Sequence, residues 1–135
     1  MTLSDVVLDA SALVRALLHE SEEAVEIVEG IADGSISAHA PDLIGPETAN
    51  ALLQLVRVGR SSPQTAATML EAAATSAIMR YSSVQFARPA LEHAMDTGLS
   101  AFDAFNAVLA EALDLPLITA DRKLAAAVNG SVLVT

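Results

Sequence analysis

Short runs of β-forming residues alternate along this chain with longer stretches of helical spacing, and that alternation constrains the fold more than any other feature. Val6 to Leu8 opens the series. Behind it Ala12, Leu13, Ala16 and Leu17 recur as one helical face, which predicts a helix from Ser11 or Ala12 to about His19. Ser21 as cap and Glu22-Glu23 as first-turn acids start a second helix, expected to end at Gly30. Asp33-Gly34 reads as a turn, and Ile36 to Ala40 as a strand ended by Pro41. Pro46 suits the first position of a helix that Gly59 stops, and Ser62-Pro63 opens another through Ala73. Ala77 to Ser83 predicts a short strand, and the stretch around Leu91 and Met95 a helix closed by Gly98. Ser100 to Asp103 resembles a capping box with Asp in the usual Glu place, ahead of a helix carrying Phe105, Val108, Leu109 and Ala112. Leu115 to Thr119 is the next strand, Asp121 caps a helix from Arg122 to Val128, Asn129-Gly130 turns, and Ser131 to Thr135 is the last strand. Strands separated by helices pair in parallel, and a parallel sheet needs helices on both faces. The expectation is a single α/β domain over residues 1–135.

Composition removes several kinds of chemistry. With no cysteine there are no thiolate zinc sites, redox pairs or disulfides, which fits a reducing, cytoplasmic setting. The start lacks the basic and apolar regions of a signal peptide, and no apolar run is long enough to cross a bilayer, so no membrane role is expected. A domain of this length buries roughly two thirds of its unfolded surface and folds without a metal, so any ion it holds serves function. The net charge of −10 argues against a broad basic face for nucleic acid, and one Tyr, three Phe and no Trp argue against a base-stacking platform. Neither excludes a chain that gathers acids around divalent cations.

Four acids lie at predicted helix starts: Asp9, Glu47, Asp103 and Asp121. Taken singly, each is explained by capping and the helix dipole, worth about 0.3–1 kcal/mol. Together they say more. In a doubly wound sheet the helix N-termini that follow strands face one edge, so these carboxylates converge and repel unless protons or cations intervene. An all-oxygen cluster suits Mg2+ or Mn2+, which activates water and neutralises a phosphodiester in transit. Ser11 and Thr119 are candidates to orient a ligand or a water, or to cap the backbone locally.

The order and surroundings of the acids carry a resemblance. Val-Val-Leu-Asp-Ala-Ser-Ala-Leu-Val at 6–14, Pro-Glu-Thr-Ala-Asn-Ala-Leu at 46–52, Leu-Ser-Ala-Phe-Asp-Ala-Phe-Asn-Ala-Val-Leu-Ala at 99–110 and Leu-Ile-Thr-Ala-Asp-Arg-Lys-Leu at 117–124 resemble the four blocks of a PIN domain, in order and over the whole chain. The resemblance is greatest to VapC-like toxins of bacterial toxin–antitoxin pairs. It implies a three-layer fold with a central, mostly parallel sheet of four or five strands flanked by helices. It implies a metal-dependent endoribonuclease with Asp9, Glu47, Asp103 and Asp121 around Mg2+ or Mn2+, cleaving RNA with a metal-activated water. It also implies a homodimer and a VapB-like antitoxin whose tail covers the site. Phe102 stands where the family often has Tyr, and Phe105-Asn106 replaces a more usual Ala-Tyr pair; neither departure removes an acid.

Other candidates weigh less. His19, His39 and His93 show no ligand spacing and are expected in surface or structural roles. Arg15, Arg122 and Lys123 lie close in sequence to the acids and could meet RNA phosphates, or simply offset neighbouring charge. Arg57 and Arg60 end the helix that starts near Glu47, where the helix dipole alone favours them. Two readings of another class remain: a catalytically inactive PIN-like module whose acidic groove docks a basic partner segment, and, ranked last, a phosphoryl-receiving domain, which lacks the acidic pair expected at the first strand.

Overall fold

The computed structural model describes residues 3–135. Five parallel strands form one sheet: β1 (Asp5–Leu8), β2 (Ser37–Pro41), β3 (Ile78–Tyr81), β4 (Leu117–Thr119) and β5 (Val132–Leu133), in the spatial order β3-β2-β1-β4-β5. The helices are α1 (Ala10–Leu17), α2 (Glu22–Asp33), α3 (Ile44–Arg57), α4 (Pro63–Thr75), α5 (Ala87–Thr97), α6 (Ala101–Leu113) and α7 (Arg122–Ala127), with a 3-10 turn at Ser83–Phe86. This is the three-layer α/β arrangement that the alternating pattern implies.

The strands alternate their side chains between two cores. Val6, Leu8, Ala38, Ala40, Ile78 and Ile118 pack with Leu13, Ala16, Ile27, Ile31 and Ala73 from α1, α2 and α4. On the opposite face Val7 and Leu117 meet Ala107, Leu109 and Ala110 of α6 and Leu124 of α7. Val6 and Val7 are both fully buried, so β1 must be apolar on both sides, as a central parallel strand is.

Strand order reverses at β1: β2 and β3 lie to one side, β4 and β5 to the other. In open α/β sheets the crevice beyond the strand ends opens at such a reversal. Each helix that feeds the next strand runs against the sheet, which leaves its N-terminus at the edge where the strands finish. That is why α1, α3, α6 and α7 present their first turns to one place.

Several boundaries differ from those the sequence suggests. Helix α2 continues to Asp33, with Gly34 as its left-handed C-cap at φ 84°. Gly30 sits inside it because Ile36 packs against its backbone: a Cβ there would lie 2.6 Å from Ile36 Cδ1. Helix α3 starts at Ile44, so Pro46 is its third residue, still within the turn whose N–H groups have no helical acceptor. Pro41 belongs to β2, whose register pairs it with Tyr81. Strands β4 and β5 are shorter than expected, although the Val134 N–H still donates to the Thr119 carbonyl at 2.8 Å. Among the described residues no helix is long and apolar enough to cross a membrane.

Candidate active site

Asp9 follows β1 directly and occupies the N-cap position of α1, with extended backbone at φ −84° and ψ 147°. Its side chain makes no cap. The carboxylate turns inward, 4% exposed, and accepts from Ser11 Oγ at 2.5 Å and Thr119 Oγ1 at 2.8 Å, both on Oδ2. Each hydroxyl has one proton, and each hydroxyl oxygen already receives a backbone N–H: Ala120 to Ser11 at 2.9 Å, Asp121 to Thr119 at 3.0 Å. Both hydroxyl protons are therefore committed to Asp9, and the 3.2 Å approach of Ser11 to Thr119 carries none. Two backbone amides thus orient two hydroxyls that hold one carboxylate.

Burial pushes the Asp9 carboxyl above the usual range; Ser11 and Thr119 pull it back, and the charge of Asp121 pushes it further up. Glu47, in the first turn of α3, is raised to about 7 by burial and then by Asp9 and Asp103. Asp103, in the first turn of α6, is raised by burial, then by Asp121 and Asp9, with Ser100 and Lys123 opposing. The four acids act on one another's charge, so the sheet edge brings together the set expected from the sequence.

They are not equivalent. Asp121 caps α7, accepting the Leu124 N–H at 3.0 Å, so the capping reading holds for it. At Asp103 the cap is Ser100, whose Oγ accepts the Asp103 N–H at 3.1 Å. Nor is the cluster closed: among the described residues no group of three or more Asp, Glu or His side chains is already gathered in an arrangement for an ion.

Asn106, noted in the sequence only as a departure from the family pattern, is a site residue that sequence reasoning did not assign. It is 2% exposed on the second turn of α6, and its Nδ2 donates to Asp9 Oδ1 at 3.3 Å. The signal was available: a polar residue between Ala104, Ala107 and Leu109 on a helix face that is otherwise apolar.

Of the basic candidates, Lys123 is exposed, donates to the Gly98 carbonyl at 2.9 Å and offsets Asp103. Arg122 is exposed and Arg15 half-buried on α1. Arg60 lies elsewhere, paired with Glu20 at 2.7 Å. His39 is structural: Nε2 and Nδ1 lie 2.8 Å from Asp5 Oδ1 and from the Tyr81 hydroxyl, tying β1, β2 and β3 together. His19, exposed, follows α1 in left-handed backbone at φ 54°. None of the three histidines reaches the acids.

Comparison with known proteins bears on the family and the fold. Ribonuclease VapC1 of Mycobacterium tuberculosis is 32% identical over 127 residues, 93% of this chain and 92% of that protein. Ribonuclease VapC3 of Pyrobaculum aerophilum is 33% identical over 122 residues, 89% and 92% respectively. The crystal structure of PAE2754 from Pyrobaculum aerophilum superposes with a TM-score of 0.74 at 25% identity, covering 96% of this chain and 88% of its own. The PIN domain model matches residues 6–129, from β1 to the turn before β5. The chain belongs to the PIN domain family.

Proposed function

We propose that the chain is a divalent-metal-dependent endoribonuclease of the VapC toxin type, hydrolysing RNA phosphodiesters at the sheet edge where Asp9, Glu47, Asp103 and Asp121 act on one another's charge. The observation that carries this reading is the state of Glu47, raised to about 7 by burial beside Asp9 and Asp103. Crowding acids costs stability, and a protein keeps such a cost where the charge has work to do. The relatives named as ribonucleases support RNA as the substrate.

The donor set fits Mg2+ or Mn2+: carboxylate oxygens only, no sulfur, and no histidine within reach. Asp9, Glu47, Asp103 and Asp121 would hold the ion. When bound it supplies positive charge against the phosphodiester and acidifies the attacking water. The protein's own side chains do the rest. Ser11 and Thr119 keep Asp9 oriented and favour its ionised form. Glu47 gives up its proton as positive charge arrives. Arg15, Arg122 and Lys123, close in sequence to the acids, are the candidates to meet RNA phosphates, in a chain with too little positive charge to bind RNA by charge alone. By the same likeness to VapC-type toxins, the chain works in the cytoplasm as a homodimer and is silenced by a small VapB-like antitoxin.

The test is cleavage of RNA in Mg2+ or Mn2+ against cleavage in EDTA, with Asp9→Asn as control. The account expects EDTA to stop cleavage, Mn2+ to restore it, and Asp9→Asn to stay inactive while folded. Equal cleavage in EDTA contradicts metal dependence. A folded chain that binds a basic peptide in this groove and cuts no RNA in either metal is the docking module instead.

A further inference from the structure

The two oxygens of Asp9 are in different situations. Oδ2 receives two hydroxyl protons at 2.5 and 2.8 Å, which fills the lone pairs it can use. Oδ1 receives the Asn106 amide, at 3.3 Å. That amide is itself pinned, because Nδ2 also lies 3.5 Å from the Phe102 carbonyl one turn back along α6. Its two N–H groups thus meet two acceptors. The flipped amide would set its own oxygen against a carboxylate and a carbonyl, so the orientation is decided by the network.

We propose that Asn106 is a positioning residue for Asp9: pinned on Phe102, its amide fixes the carboxylate plane and leaves one lone pair of Oδ1 as the acceptor that Asp9 offers to a divalent cation. The proposal rests on the four-acid reading above and adds which oxygen is offered and what holds it. Three donors on three different segments, Ser11, Thr119 and Asn106, determine a plane; with the amide removed, the carboxylate can swing about the two hydroxyls that share Oδ2. Partners that orient a metal's ligands in this way typically govern affinity by about 10–100-fold when removed.

The experiment compares Mn2+ binding, followed by loss of the electron paramagnetic signal of the free ion, in the parent, Asn106→Leu and Asn106→Ser. Leucine matches the volume without a donor; serine is too short to reach Oδ1 and overfills nothing. Melting curves establish that each variant is folded. The expected result is folded variants whose dissociation constant for Mn2+ rises by about 10–100-fold, with Glu111→Gln, exposed on the same helix, unchanged. Folded variants that bind Mn2+ within about twofold of the parent overturn the positioning role and leave the four-acid site standing. A parent that binds no Mn2+ overturns both. Should neither substitution fold, the parent decides through the side-chain amide pair of Asn106 in a nitrogen–proton correlation spectrum: displacement by Mg2+ supports the proposal, and an unmoved pair at saturating Mg2+ overturns it.

Discussion

Thr119 and Asp9 lie 110 residues apart, yet the Thr119 hydroxyl donates to Asp9 Oδ2 at 2.8 Å while its own oxygen accepts the Asp121 N–H. Thr119→Val keeps the shape of this fully buried side chain and removes both bonds. The expected cost is about 1–3 kcal/mol, read as a lower urea midpoint with an unchanged slope. The carboxyl of Asp9 then titrates higher still, so the loss deepens as pH rises. An unchanged midpoint at pH 8 contradicts the relay.

Glu47 makes a prediction with a definite sign. Its folded carboxyl titrates at about 7 against an ordinary 4.5. Between those values the folded chain holds a proton that the unfolded chain has released, so stability falls as pH climbs through that window and levels off above it. Glu47→Gln removes the share of that slope that Glu47 contributes. Without metal, the variant is expected to exceed the parent by about 1 kcal/mol at pH 8, after allowance for solvent screening, or a few degrees in Tm. The two should melt together at pH 4. Equal melting at pH 8 contradicts the crowding of Glu47 by Asp9 and Asp103.

Asp121 combines a cap with a charge, and two substitutions separate them. Asp121→Asn keeps an acceptor for the Leu124 N–H and removes a charge that raises both Asp9 and Asp103. It should melt at or above the parent at pH 8. Asp121→Ala loses the cap as well and should fall about 1 kcal/mol below Asp121→Asn. Thermal melts of the three proteins check the ordering.

The His39 bridge supplies a control. Tyr81→Phe removes the hydroxyl 2.8 Å from Nδ1 and leaves Asp5 on Nε2. It should cost about 1 kcal/mol and leave RNA cleavage at the parent rate. A large loss of cleavage at full stability would bring His39 into the chemistry.

Much of the frame is legible in the residue order. The five strands, the caps at Ser21, Ser62 and Ser100, and the glycine stop after α5 all lie where local chemistry puts them. What local chemistry misses are features decided by distant neighbours. Gly30 looks like a helix end, but it is a contact point for Ile36, and the true stop, Gly34, is recognised only by its left-handed backbone. Asp9 looks like a cap because it occupies the cap position; its carboxylate turns inward because Thr119 and Asn106 arrive from β4 and α6. Asn106 reads as an unusual residue in a helix, since nothing near it in the chain reveals that Asp9, 97 residues away, is its partner. The family blocks point to the acids, while the hydroxyls and the amide that orient Asp9 require the fold.

The central claim is that these four carboxylates form one site for a divalent cation, and the direct measurement is calorimetric titration of Mn2+ into the metal-free protein, into Asp9→Asn and into Asp103→Asn. The account predicts a defined binding isotherm in the parent and its loss in both variants, each still folded. A well-folded parent that takes up no Mn2+, or variants that bind it as the parent does, would contradict it.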